Sequence, residues 1–197
     1  MAPRLFCIVA TASLAAGCAG QDPPPTPVCA ALVSASRTGD VPAIEASLAA
    51  GANPNTCRAG VNGWTPLYHA IHKNQRWAVD ALIRGGADVN QVVTSVTPLM
   101  MAVGNGQLQI ARRLLDAGAN PRAITDGGAS ALSIAVSGGA LTDIENPILG
   151  ACHTEVVREL LVRDPSLRLD DNMHARFARW IARLNDCQDV MSIIARR

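Results

Sequence analysis

The sequence predicts an all-α solenoid of stacked helix pairs, and three observations carry that expectation. A block opening Thr-Pro-Leu at Thr65–Leu67 recurs 32 residues later at Thr97–Leu99, and the two copies align without a gap as far as Asn90 and Arg122. Each copy holds two apolar runs of helical period separated by a turn residue. Each run of two closes on Gly-Ala followed by Asn or Asp, beginning at Gly51, Gly86 and Gly118.

The elements follow in order. Thr65 and Thr97 suit a helix N-cap, with Pro66 and Pro98 at the first helical position. Leu67, Ala70 and Ile71 share one face of the first short helix, as do Leu99, Ala102 and Val103 in the next copy. Gly39, Asn74, Gly106 and Gly139 mark inter-helix turns that call for a left-handed residue. The second helices carry Val79, Leu82 and Ile83, then Ile110, Leu114 and Leu115. Ala31–Asn55 aligns upstream with a weaker start, and Ser130–Ala140 aligns downstream. Neither helix of a pair has enough apolar face to fold alone, so the pairs must stack.

With 49% apolar residues but only 3% aromatic, the core must be aliphatic. A net charge of +1 gives no global field for nucleic acid.

These blocks resemble the ankyrin repeat. The resemblance covers about residues 30–169 and implies helix pairs joined by short β-hairpin loops, with about four to five repeats including a divergent C-terminal cap. The expected repeats are 29–58, 59–91, 92–125 and 126–169, followed by capping helices at 170–197. In the last part, Phe177, Ile181 and Leu184 are expected on one face and Arg176, Arg179 and Arg183 on the other. The cap is expected to turn a polar side outward. The arginine run reads as a solvated face, or as a contact for an anionic partner or lipid headgroup. The fourth repeat carries a thirteen-residue insertion, Ala140–Cys152, in the inter-helix turn. It reads as a surface loop or as a partner contact.

The ankyrin resemblance also implies a protein partner, held by hairpin tips and by the exposed edge of the first helices. In this chain those slots are Arg37, Val61, Asn62, Trp64, His72, Lys73, Thr94, Val96, Asn105 and Ser137. Trp64 stands out as a large aromatic just before a Thr-Pro start, a residue type favoured at interface hot spots.

The N-terminus reads as a targeting segment: Arg4, then an uncharged and mostly apolar run from Leu5 to Ala16, too short for a permanent span. Leu14–Cys18, "LAAGC", resembles the lipobox of bacterial lipoproteins. That resemblance implies removal of residues 1–17, lipidation of Cys18, and a lipid anchor in the outer membrane facing the periplasm; release as a soluble periplasmic protein is the alternative. Residues 18–28 hold a proline-rich tether, "QDPPPTP", suited to extended polyproline II. Of the six cysteines, Cys7 leaves with the leader and Cys18 takes lipid, so four remain. Three pairings are possible, and sequence proximity favours Cys29–Cys57 with Cys152–Cys187.

No constellation points to catalysis. His69 and His72 lie three apart, but no further metal-ligand spacing accompanies them, and Gly104–Gly106 lacks the strand and lysine of a phosphate loop. The expectation is a non-enzymatic chain without metal or cofactor, monomeric when unbound and touching the membrane only through its N-terminal lipid. Its partner would be another protein, with a secreted toxin or effector of lipase type as the leading class and the chain as its immunity protein. The alternatives are a periplasmic scaffold for an envelope or oxidative-stress enzyme and a structural, lipid-contacting envelope protein.

Overall fold

The computed structural model describes residues 26–60, 62–138, 152–169 and 171–196. The expected leader, Cys18 and inserted residues 140–151 lie outside them. Among the described residues the chain forms ten helices and no strand: α1 Pro27–Thr38, α2 Val41–Ala49, α3 Pro66–His72, α4 Arg76–Arg84, α5 Pro98–Gly104, α6 Leu108–Asp116, α7 Ala131–Val136, α8 Thr154–Arg163, α9 Met173–Leu184 and α10 Gln188–Ala195. The longest have 12 residues, at the lower edge of what is marginal for an isolated helix in water, so packing must supply the stability.

That packing is a two-row stack. Helices α1, α3, α5, α7 and α9 follow one another in one row, α2, α4, α6, α8 and α10 in the other, and each pair packs across the rows. The shared seam is aliphatic, as expected. Leu67, Ile71, Val79, Leu82, Leu99, Val103, Ile110 and Leu114 are all buried in one cluster. Each such side chain contributes about 1.5–3 kcal/mol of burial.

The helix starts follow local chemistry. The Thr97 hydroxyl accepts from the Met100 N–H at 3.2 Å, and Ser130 and Ser133 form a reciprocal capping box. The first helix differs from expectation. The Thr26 hydroxyl accepts from the Cys29 N–H at 3.3 Å and Pro27 is the first helical residue. The Thr-Pro read as the end of the tether is therefore a helix start capped as at Thr97, whereas Thr65 holds the N-cap place of α3 without a side-chain cap bond. The turns lie at Gly39, Asn74 and Gly106, with φ of 80°, 55° and 66°. In the fourth repeat the left-handed residue is Gly138, one position before the expected Gly139, which lies outside the described residues.

Two side-chain ladders tie repeat to repeat. Asn55 donates to the Gly86 carbonyl at 2.9 Å and accepts from the Asp88 N–H at 2.8 Å. Asn90 does the same to Gly118 and Asn120, at 3.0 and 2.8 Å. In the third repeat Arg122 takes that position and pairs instead with Asp164 and Ser166. The second ladder runs backward from the start of each second helix. Gln75 reaches the Arg37 carbonyl at 3.5 Å, Gln107 reaches Ile71 at 2.8 Å, and His153 reaches Gly104 at 3.2 Å. The His153 ring fills the space that a Cβ on Gly106 would occupy.

The structure joins Cys29 to Cys57 and Cys152 to Cys187, with Cα atoms 5.1 and 5.5 Å apart. The first joins α1 to the loop that closes its own repeat. The second ties Cys152, two residues before α8, to the N-cap residue of α10.

The cap departs from the expected facing. Helix α9 packs through Ala175, Ala178, Ile181 and Ala182. Of the three apolar residues expected on one face, Ile181 is buried while Phe177 and Leu184 are exposed, so the outward side of α9 carries apolar side chains beside the exposed Arg176 and Arg183. Alanine is what fits there: Ala70, Ala102 and Ala135 are likewise fully buried in α3, α5 and α7, because small residues allow close approach between helices of the row.

Candidate functional site

The hairpin loops between repeats form as isolated antiparallel bridges, Ala59 with Trp64, Val93 with Val96, and Ile124 with Ser130. The first of these delivers Trp64 to the α3 helix. Its ring centroid lies 5.5 Å from that of His69 and 5.0 Å from that of His72. A cleft of about 240 Å³ opens there, lined by Arg37, Ala59, Gly60, Asn62, Trp64, His69, His72 and Lys73. Five of the ten sequence-selected residues, Arg37, Asn62, Trp64, His72 and Lys73, thus converge from two successive repeats. No carboxylate lines this cleft among the described residues.

His69 sits in its inner wall. Its Nε2–H donates to the Ala59 carbonyl at 3.3 Å, since a carbonyl can only accept. Burial lowers its pKa, the carbonyl bond opposes that shift, and Arg37, His72 and Lys73 nearby lower it further. The ring is therefore neutral near pH 7 and braces Trp64, while His72 and Lys73 are exposed on the same helix end.

The second hairpin is organised from inside. Tyr68 on α3 is fully buried, and its hydroxyl lies against the Gln91 carbonyl at 2.9 Å, the Val96 carbonyl and the Val93 N–H. Burial pushes its phenol pKa well above the usual value. This hairpin is a two-residue turn with both central residues left-handed, Thr94 at φ 50° and Ser95 at φ 65°. Thr94 stands exposed at the tip, Ser95 is held by Asp126, and Val96 is half-buried. A left-handed β-branched residue costs about 1–2 kcal/mol.

The remaining selected residues do not join the cleft. Asn105 is exposed at the end of α5, one repeat further along. Ser137 is fully buried, contrary to the expectation of an exposed contact: its hydroxyl donates to the Ile134 carbonyl at 2.9 Å, so a short side chain folds back on its own helix. Val61 lies outside the described residues. Sequence reasoning passed over Tyr68 and His69 as site-forming groups; a polar-tipped residue inside a short apolar helix was the available signal. Among the described residues, no group of three or more His, Cys, Asp or Glu side chains is placed to hold a metal ion.

Comparison with known proteins agrees with this architecture. Residues 82–135 match a family model described as ankyrin repeats (many copies), and residues 62–91 match a model described as an ankyrin repeat. The ADP-ribosylation factor GTPase-activating protein AGD4 of Arabidopsis thaliana is 35% identical over 92 residues, which is 46% of this chain. The chain spans 12% of that relative's length. Residues 62–135 are thus ankyrin repeats, a protein-binding module, and the helix pairs on either side extend them into one all-α ankyrin-repeat solenoid.

Proposed function

We propose that the Trp64 cleft grips an acidic element of another protein, and that this chain is an immunity protein that neutralises a toxic secreted effector of lipase type. The observation that carries the binding reading is the cleft itself. Two repeats bring an aromatic face and the cations Arg37 and Lys73 together with no acid among the lining side chains. Such a surface favours a carboxylate-bearing loop, with Trp64 as the anchor and the cations setting on-rate and orientation. The stacked, cross-linked repeats hold the cleft's two sides in fixed register, which limits the ordering cost of binding. Neutralisation follows if the acidic loop borders the effector's active site. The lipobox-like Leu14–Cys18 supports an anchor in the bacterial envelope, facing the periplasm, where an incoming effector would be met.

The test uses the Cys18→Ser chain as bait on envelope extracts, with captured proteins identified by mass spectrometry and their activity assayed with and without bait. The expected result is one enzyme whose activity falls on stoichiometric binding. Trp64→Ala and the Arg37→Glu/Lys73→Glu pair should release it while the circular dichroism of the bait is unchanged. Equal capture by these variants would remove the cleft from the interface. Capture that depends on the cleft but leaves the captured enzyme fully active would retain the binding module and reject the immunity role.

A further inference from the structure

The side of α9 opposite its buried alanines carries Met173, Phe177, Trp180 and Leu184. These recur at intervals of four, three and four residues and so form one stripe along the helix. All four are exposed, at 76%, 37%, 53% and 62%. The Phe177 and Trp180 rings lie together, centroids 5.6 Å apart. Four large apolar side chains in a row at the end of a stack are an unpartnered surface.

Arginines flank the stripe on one side. Arg176, Arg179 and Arg183 share that flank, and α9 contains no acidic residue. Arg179 pairs with Asp171 at 3.1 Å, whereas Arg176 and Arg183 have no ion pair among the described residues. Beyond the arginines lies a groove of about 300 Å³, whose apolar lining includes Leu132, Leu161, Leu167 and Met191 and whose arginines include Arg168, Arg179 and Arg183. Arg168 donates only to backbone carbonyls, of Pro165 and Leu167. Guanidinium groups therefore stand between two apolar strips, with few counter-charges.

We propose that this surface seats on an anionic phospholipid membrane. The stripe enters the boundary between headgroups and acyl chains, and the arginines take the phosphates, their aliphatic stems lying on apolar surface. Trp180, with an apolar body and one N–H donor, suits that depth. No helix among the described residues is long and apolar enough to cross a membrane, so the contact is peripheral. With 12 residues, α9 is about 18 Å long and lies in the membrane plane. A second copy of the chain fits less well. An antiparallel two-fold pairing of the stripes sets one arginine flank beside the other, and an apolar helix from elsewhere leaves the arginines without counter-charge. The contact does not depend on which protein the Trp64 cleft takes. Together with a lipid on Cys18 it holds the solenoid at both ends and lays it along the membrane.

Trp180 reports the contact directly, whatever the N-terminal segment does. In a Cys18→Ser, Trp64→Phe, Trp77→Phe chain it is the sole tryptophan. Vesicles of phosphatidylcholine with one-third phosphatidylglycerol, carrying brominated acyl chains, are expected to shift its emission to the blue and quench it. Arg176→Gln with Arg183→Gln should raise the lipid needed for half the effect roughly thirtyfold, at about 1 kcal/mol per cation. Phosphatidylcholine alone should leave the emission unchanged. Should Trp64→Phe disturb folding, the difference in emission between the Cys18→Ser chain and its Trp180→Phe variant reads the same residue. Trp180 emission indifferent to anionic vesicles overturns the proposal, even if the chain sediments with them. So does a blue shift that appears with protein concentration and no lipid, which assigns the stripe to a second copy.

Discussion

Removing one oxygen from Tyr68 tests how the second hairpin is held. Tyr68→Phe keeps the ring, so no cavity forms, and the loss is confined to the hydroxyl's bonds with Gln91, Val96 and Val93. Val93 and Val96 still bond each other, at 3.1 Å in both directions. The Gln91 carbonyl is the group left without its donor. A fully buried unpaired group costs about 1–3 kcal/mol, and the half-burial of Gln91 lets water offset part of it, which places the loss at about 1–2 kcal/mol. For a chain of this size that lowers Tm by roughly 2–8 °C. Two assays separate the hydroxyl from general damage. Amide exchange should accelerate at Val93 and Val96 more than in α3. The pH profile should also change. The folded phenol titrates above the ordinary value of 10, so the unfolded chain loses its proton first. Wild-type stability then falls as pH rises past about 10, and Tyr68→Phe removes that loss. A stability change below about 0.5 kcal/mol, the range of surface substitutions, with an unaltered alkaline slope would refute the account.

Asn90→Ala removes the bonds to Gly118 and Asn120; it should cost about 1–2 kcal/mol in urea unfolding and speed exchange of the Asn120 amide. Thr94→Asn with Ser95→Gly relieves two left-handed residues and should raise stability by about 1–2 kcal/mol in the same assay. His153→Gln installs the residue already present at Gln75 and Gln107. The folded pKa values of His69 and His153 are lowered, chiefly by burial, so the unfolded chain binds protons first and stability falls as pH drops below 6.5. His153→Gln should shrink that acid loss while leaving stability at pH 7 close to wild type, read by melts across pH 4–8.

What the sequence disclosed was whatever repeats within a unit. Thr-Pro starts and Gly-Ala ends fix helix limits by local chemistry, so α3 to α6 lie where their periodicity puts them. The Gln75, Gln107 and His153 ladder escaped because it acts between units and has no apolar period. The first helix was cut short for a different reason: Thr26-Pro27 sits among prolines, and composition there outweighed the cap signal. Helix α9 was legible only in part: Ile181 packs as its place on the apolar face implied, while Phe177 and Leu184 are exposed because alanines take the close contacts. The alanines at 70, 102 and 135 already showed which size of residue the row's contacts accept. Five cleft residues were legible because their places in the repeat are set by backbone geometry. Ser137 occupies the same slot as His72, but its side chain is short enough to bond its own helix.

A net charge of +1 hides a segregated distribution. The row of α2, α4, α6 and α8 uses its acids against its own arginines: Glu45 with Arg84, Asp80 with Arg113, Glu159 with Arg112, and Asp116 with Arg163. Each pair contributes little stability, about 0–1 kcal/mol. Among the described residues no carboxylate lines the Trp64 cleft, and none occurs within α9. Arg37 and Lys73 at the cleft, and Arg176 and Arg183 on α9, have no ion pair among the described residues. Both surfaces therefore attract anions, and salt weakens both, since screening at 0.15 M acts over about 8 Å. Salt dependence alone cannot tell protein capture from membrane seating. The tryptophans can, because Trp64 lies in one surface and Trp180 in the other: a partner that shifts Trp64 emission and leaves Trp180 unmoved occupies the cleft, and a vesicle that does the reverse occupies the cap.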